Sequence, residues 1–162
     1  MDLDEGLVTH QDLNSLTAPT YSDLLDYLDK ANPTAAFYRF SNVFYMPASE
    51  APKDEFVVGL FTHKHLSPSP NGSRTKCIYK PHRVSQVYTH FGTPLNSSYQ
   101  EVVISPEVAC LHHYRRHAPP GGFHKSDASE DFTLRDKFGD KIRTSAVYEA
   151  FSKELKGNPL RV

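Results

Sequence analysis

The segment AFYRFSNVFYM, from Ala36 to Met46, decides the fold because it is long, aromatic and almost free of charge. Aromatic residues are enriched in strands, so this segment predicts one β-strand that runs through its whole length. A second segment, Phe56 to Thr62, is nearly all apolar and predicts a strand that is buried on both faces. The core of the chain is therefore expected to be a sheet.

A helix is predicted directly before the aromatic segment. Thr20 is a suitable N-cap, and Asp23, three residues later, completes a capping box. Asn32-Pro33 ends the helix, because proline disfavours helical geometry at the residue before it. The apolar residues follow at helical spacing and define one face, formed by Tyr21, Leu24, Leu25 and Leu28.

The rest of the chain alternates short strands with turns and ends in helical sequence. Val108 to Tyr114 could form either a strand or one helical turn. Further predicted strands are Lys76 to Tyr79, Val84 to Thr89 and Tyr99 to Ile104, and helical periodicity follows over Thr133 to Phe138 and Lys141 to Leu155. This order of elements predicts an α/β fold, with a mixed sheet, flanking helices and a helical C-terminal tail.

The composition excludes several classes of protein. The 162 residues favour one domain, and a net charge of -1 gives no basic surface for nucleic acid. No run approaches the roughly 20 apolar residues that span a bilayer. The motifs of dinucleotide loops, Walker loops and Gly-x-Ser-x-Gly nucleophiles are absent from the sequence.

Cys77 and Cys110 could form one disulfide or remain buried thiols, and the sequence does not choose between these states.

The chain opens with an acidic cluster, Asp2-Leu3-Asp4-Glu5. Two carboxylates at i and i+2 of an extended segment point the same way, and hard cations such as Mn²⁺ or Mg²⁺ prefer oxygen ligands. Glu5 could orient one of these ligands through a hydrogen bond. The Asp-x-Asp tripeptide is common, so taken alone it favours an acidic surface patch.

Histidines form two further groups. In the first, LHHYRR at 111–116, an imidazole could complete a metal shell and a guanidinium could hold a phosphate, although the motif alone favours a basic surface turn. In the second, His63 and His65 alternate at a strand end and could share one face. Their spacing fits no structural zinc site, so solvated side chains are expected for both and for His82.

The motifs occur in an order that resembles glycosyltransferase family 92. The resemblance begins with the acidic cluster, the helix YSDLLDYL and a strand that ends in RFSNVF at 39–44. It continues through KCIYKP at 76–81, Arg83-Val84 and His90. The most specific match is SPEVACLHHYR at 105–115. The similarity covers residues 2–115, with a weaker echo over Asp136 to Ile142.

The resemblance implies an incomplete GT-A fold, with the C-terminal part of the family domain at 1–117 and a linker and helical tail at 118–162. It implies metal-dependent, inverting transfer of a hexosyl group, with galactose as one candidate, from a UDP-sugar to a glycan acceptor on the lumenal side of the Golgi membrane. The implied ligands of Mn²⁺ or Mg²⁺ are Asp2, Asp4 and His113, with His112 as the competitor of His113. Arg115 is implied near the donor diphosphate.

The sequence differs from the family pattern in three respects. Gly6 stands where a bulky aromatic residue is usual, and residues 10–18 are more polar than usual. The nucleotide-binding half does not precede Asp-x-Asp here, so a truncated form is expected, and any membrane anchor would belong to that half. The alternative function is a catalytically inactive remnant that binds a glycan or a protein partner. Asp54, Glu55 and Glu101 are open candidates for the base that inversion requires.

Overall fold

The computed structural model describes residues 5–9, 20–47, 61–67, 74–115, 127–146 and 148–150. Its elements in chain order are β1 (Glu5–Thr9), α1 (Tyr21–Ala31), β2 (Ala35–Phe40), β3 (Asn42–Met46), β4 (His63–His65), β5 (Lys76–Tyr79), a 3₁₀ turn (Pro81–Arg83), β6 (Val84–Val87), β7 (Gly92–Pro94), β8 (Gln100–Ile104), β9 (Ala109–Tyr114), β10 (Ala128–Glu130) and α2 (Thr133–Arg143). No helix among these residues is long and apolar enough to cross a membrane.

These strands form sheets that contain both parallel and antiparallel pairs. The largest sheet has the order β1-β9-β3-β4-β10, the second has the order β5-β2-β8, and β6 and β7 form a hairpin. β3 runs parallel to β9, and β2 runs parallel to β8, whereas the other pairs are antiparallel. The α/β class and the mixed sheet predicted from the sequence are confirmed.

The single strand expected over Ala36 to Met46 is wrong, because the chain changes sheet at Ser41. β2 pairs with β5 and β8 in the second sheet, whereas β3 pairs with β9 and β4 in the first. The Ser41 carbonyl accepts a hydrogen bond from the Leu111 amide at 2.8 Å. An aromatic pattern indicates strand propensity but does not indicate which neighbour supplies the hydrogen bonds, so it could not locate this change.

α1 begins at the capping box predicted from the sequence. The Asp23 amide donates to Thr20 Oγ1 at 3.2 Å, and the Thr20 amide donates to Asp23 Oδ2 at 2.7 Å. The helix ends where the Asn32 amide donates to the Leu28 carbonyl at 2.9 Å. Leu24 and Leu28 are buried in the main hydrophobic cluster and Leu25 packs against it, so these three residues of the predicted apolar face pack against the strands, whereas Tyr21 is exposed.

β9 is buried on both faces and separates two hydrophobic clusters. Ala109 and Leu111 belong to the first cluster, whereas Cys110 belongs to the second. The segment that could have been a strand or a helical turn is therefore a strand. The first cluster also contains Leu7, Leu24, Leu28, Ala35, Tyr38, Phe40 and Ile104, and the second also contains Val43, Tyr45 and Phe61.

The remaining predicted elements agree with the structure apart from their ends. β5 and β8 are confirmed, and β6 ends at Val87 rather than Thr89. Of the second apolar segment, residues 56–60 lie outside the described residues, and residues 61 and 62 are not in a strand. α2 continues through the break expected after Phe138 and ends at Arg143, and residues 147 and 151–155 lie outside the described part of the chain.

Candidate functional site

The β1–β9 ladder brings the N-terminal segment to the histidine pair. Glu5 is paired with His113, and Gly6 is paired with His112. Asp4 directly precedes Glu5 in the chain, although Asp2 and Asp4 both lie outside the described residues. Glu5, the last residue of the acidic cluster, therefore meets the histidine pair on one antiparallel ladder, although the two are far apart in sequence.

His113 has a restrained environment that β3 provides. Its side chain is buried, with 6% exposed, and its ring stacks on Phe44 with the centroids 5.1 Å apart. Its Nδ1 lies 3.1 Å from Nδ2 of Asn42. The guanidinium of Arg74 lies over the Phe44 ring at 5.4 Å from its centroid. One stacking contact and one hydrogen bond thus fix the position of the imidazole.

His112 points to the opposite face of β9, because successive residues of a strand alternate in direction. Its ring stacks on Tyr45 with the centroids 4.5 Å apart, and its Nδ1 lies 3.5 Å from the Tyr114 hydroxyl. Burial raises the pKa of the Tyr114 hydroxyl above its ordinary value. The two histidines that the sequence could not distinguish therefore have different surroundings, and His113 is the one paired with Glu5.

Arg115, the residue expected near the diphosphate, follows β9 directly. Its amide donates to the Tyr45 carbonyl at 3.0 Å, which extends the β3–β9 ladder by one residue. Its side chain is half-buried. Arg115 lies two residues beyond His113, so the expected phosphate ligand and the expected metal ligand belong to the same end of one strand.

His63 and His65 share one face of β4, as their alternation predicted. Met46 pairs with His63, and Tyr45 pairs with Lys64, so both histidines lie on the Met46 side of the sheet. His63 is half-buried, and its Nδ1 is buried without a hydrogen-bond partner among the described residues. The expectation of a solvated side chain is therefore wrong for His63.

Two further expectations concern the exposure of His82 and the state of the two cysteines. His82 is exposed, as predicted. Cys77 and Cys110, both in the described part of the chain, are thiols rather than a disulfide. Cys77 lies on β5 and Cys110 on β9, in two different sheets.

A partly buried polar network on the face of the first sheet opposite His113 was not expected from the sequence. The Tyr45 hydroxyl donates to Asp131 Oδ2 at 2.9 Å, and Lys64 Nζ lies 3.5 Å from the same oxygen. The Asp131 amide donates to the Thr62 carbonyl at 2.8 Å. Burial opposes ionisation of Asp131, but hydrogen bonds from Thr133 and Tyr45 and the charge of Lys64 outweigh it and lower the pKa of the carboxyl.

A cavity of about 380 Å³ lies on the His113 side of the β1–β9 ladder. Leu7 and Leu111 are paired across this ladder, and alternate residues of a strand share a face, so the cavity and His113 lie on one face. Burial raises the pKa of the Cys77 thiol, which also lines the cavity. The full lining is Leu7, Phe40, Lys76, Cys77, Ile78, Thr89 and Leu111.

One of the three carboxylates considered as a general base is held in an ion pair. Glu101 Oε1 lies 2.6 Å from Arg39 Nη2, across the β2–β8 pair. Asp54 and Glu55 lie outside the described residues. The geometry therefore assigns Glu101 a structural contact and does not select a base.

A divalent cation fits this edge of the sheet if His113 supplies its nitrogen ligand. Among the residues with described positions, no group of three or more His, Cys, Asp or Glu side chains could hold a metal. Asp2 and Asp4, the carboxylate ligands that the resemblance implies, lie outside those residues. Asn42 is fully buried beside His113, and its Oδ1 has no hydrogen-bond partner within the described residues. An amide oxygen in this place suits the hydrogen bond that supports a metal-binding imidazole.

The two mixed sheets joined at Ser41, with α1 packed against them, form a mixed α/β fold that is consistent with an incomplete glycosyltransferase-like fold. The model of glycosyltransferase family 92 matches residues 1–155. The chain therefore belongs to glycosyltransferase family 92. The match spans both segments that were separated after residue 117, and that boundary stays a prediction. No curated protein shows significant similarity to the chain.

Proposed function

We propose that this chain carries the metal and diphosphate site of a glycosyltransferase that moves a hexosyl group from a UDP-sugar to a glycan acceptor with inversion. Membership of family 92 supports glycosyl transfer in general. The observation that supports the site is the register of β1 on β9, which pairs Glu5 with His113. The proposed setting, the lumenal side of the Golgi membrane, follows from the family resemblance alone.

In this proposal, Asp2, Asp4 and His113 hold Mn²⁺ or Mg²⁺. The bound cation would neutralise the negative charge that builds on the departing diphosphate. Arg115 would hold a diphosphate oxygen through its guanidinium, which suits phosphate geometry. His113 can serve because Phe44 fixes the plane of its ring. The base that accepts the proton of the acceptor hydroxyl is not assigned.

Calorimetric titration with UDP, with and without Mn²⁺, tests the proposed site. We expect UDP to bind only in the presence of Mn²⁺. Asp4→Ala and His113→Ala should each weaken Mn²⁺ binding by at least about 10- to 100-fold, the range seen when even supporting partners of a metal ligand are lost. His82→Ala is the matched control, because His82 is exposed and should leave binding unchanged.

Two outcomes would contradict parts of this proposal. Loss of binding in His112→Ala, with binding kept in His113→Ala, would move the metal ligand to the other face of β9. Mn²⁺-independent binding of a glycan, with no binding of UDP, would favour the alternative of a glycan-binding module. That alternative has one structural observation in its favour: Tyr88 and Phe91 stack at 4.5 Å, and both are exposed, so they offer an apolar surface to a sugar ring.

A further inference from the structure

Asn42 makes a contact that bears directly on how His113 could bind a metal. Asn42 is fully buried on β3, and its Nδ2 lies 3.1 Å from Nδ1 of His113. An amide nitrogen can only donate, so Nδ1 of His113 must accept in this arrangement. In the neutral imidazole the proton is then on Nε2, which is the nitrogen that Asn42 does not contact.

This tautomer is the opposite of the one that metal binding through Nε2 needs. A histidine that gives the Nε2 lone pair to a metal carries its proton on Nδ1 and donates it to an acceptor. The required acceptor is already present on the same side chain, because Asn42 Oδ1 is buried and has no partner among the described residues. A half-turn of the carboxamide exchanges its nitrogen and oxygen, which have nearly the same size and shape.

Because the surrounding strands fix both backbones, rotation of the Asn42 carboxamide is the smallest movement that supplies the acceptor. Asn42 is paired with Leu111, and Phe44 is paired with His113, so the backbones of both partners are fixed by the parallel β3–β9 ladder. The imidazole plane is set by its stacking on Phe44. Rotation of the amide moves neither strand and leaves the ring stack in place.

We propose that Asn42 is a positioning residue for His113, whose carboxamide selects the imidazole tautomer and turns over when the cation binds. The part that concerns the cation rests on the proposed function. The part that concerns the tautomer applies to the metal-free chain, so the two can fail separately.

Nitrogen-15 NMR of the full chain measures the tautomer, with the His113 signal assigned by its loss in His113→Phe. The measurement is made at about pH 9, well above the usual imidazole pKa of about 6.5. In the metal-free wild type we expect the proton on Nε2. Asn42→Asp, which can only accept, should move it to Nδ1, and Asn42→Leu should give a mixture. Addition of Mg²⁺, which is diamagnetic, should move the wild-type proton to Nδ1.

Calorimetry with Mn²⁺ gives the second readout. Asn42→Leu should weaken binding about 10- to 100-fold, as expected for loss of the partner of a metal ligand. Asn42→Asp should restore binding to at least the wild-type affinity. Asn96→Asp is the matched control, because it adds the same charge at an exposed turn, where Oδ1 accepts from the Ser98 amide. It should leave Mn²⁺ binding unchanged.

The other possible results test the tautomer assignment and the metal site separately. If Asn42→Asp leaves the proton on Nε2 as in the wild type, the tautomer assignment is overturned, and this variant keeps the size of the side chain in case Asn42→Leu does not fold. If the tautomers differ as expected but no form of the chain binds Mn²⁺, the positioning of His113 stands and the proposed metal site fails. Equal Mn²⁺ affinities for wild type and Asn42→Leu would show that Asn42 does not position His113 for metal binding and only fills space in the core.

Discussion

Adjacent histidines on one strand have unrelated environments in this chain. His113 contacts Phe44 and Asn42, whereas His112 stacks on Tyr45. The difference follows from the alternation of side chains along β9, with a different set of β3 residues on each face. Side-chain chemistry alone could not separate the two histidines, because both are imidazoles in one short motif.

The two thiols should differ in reactivity for a similar reason. Burial raises the pKa of the Cys110 thiol to about 11, and only 1% of Cys110 is exposed. Cys77 is half-buried. Because the thiolate is the reactive form, we expect an alkylating reagent at pH 8 to label Cys77 at least about tenfold faster than Cys110 in the folded chain. Peptide mass spectrometry after timed labelling measures both rates.

Labelling in guanidinium chloride is the control for this prediction, since both cysteines should then react at similar rates. Equal rates in the folded chain would contradict the burial of Cys110. Protection of both cysteines until a reductant is added would show a disulfide instead.

Sequence reasoning identified the two motifs of the proposed site but not the residues that contact them. The acidic cluster and the histidine pair occur in the order that is typical of family 92, and the β1–β9 pairing brings their segments to one ladder. Asn42 had no separate signal, because its contact with His113 depends on the parallel pairing of β3 with β9. Asp131 was missed for the same reason, since its partners Tyr45 and Lys64 come from two strands that are distant in sequence.

At the scale of elements, short sequence patterns predicted best those features that depend only on contacts between residues close in sequence. The ends of α1 depend on residues within one turn, so Thr20 and Asn32 marked them correctly. The change of sheet at Ser41 depends on contacts with β8 and β9, which no local pattern contains. The helical periodicity suggested a break after Phe138, whereas α2 continues to Arg143 and the break falls at residues 144–145, before further helical residues at 146 and 148–150.

The capping box of α1 makes a quantitative prediction about this element. Thr20→Ala removes the oxygen that accepts from the Asp23 amide, and it should lower the free energy of unfolding by about 1 kcal/mol. For a chain of this size, that corresponds to a fall of roughly 2–4 °C in Tm by calorimetry. Ser22→Ala is the matched control, an exposed substitution in the first turn that should be neutral. Equal effects of the two substitutions would argue against the cap.

At the scale of the whole molecule, the C-terminal segment is joined to the first sheet. β10 pairs with β4, and Asp131 then connects α2 to Tyr45 and Lys64. Thr133, at the start of α2, donates its amide to Asp131 Oδ1 at 3.0 Å. This carboxylate therefore links the beginning of α2 to the side of β9 opposite His113.

Acid sensitivity of the whole fold should depend on this link. The pKa of Asp131 is lower in the folded chain than its ordinary value, so its ionisation adds stability above about pH 4, and this contribution is lost as the pH falls further. Asp131→Asn should lower the free energy of unfolding at pH 7 by about 1–2 kcal/mol, because charged hydrogen bonds are lost. It should also flatten the fall in stability between neutral and acidic pH.

Urea titrations at several pH values measure both effects of Asp131→Asn. Asp136→Asn is the control, because Asp136 is 65% exposed in its side chain and its ion pair with Arg135 should contribute little. A pH profile for Asp131→Asn that runs parallel to that of the wild type would show that another group accounts for the acid sensitivity.

Ser41 is the single residue between β2 and β3, and the length of this connection determines which β3 side chains face His113. With β2 held in its own sheet, a one-residue deletion at Ser41 would move Val43 into the place of Asn42 and Tyr45 into the place of Phe44. His113 would then lose its amide partner although no residue of the site had been substituted. Among chains of this kind, length variation should therefore be rare at Ser41.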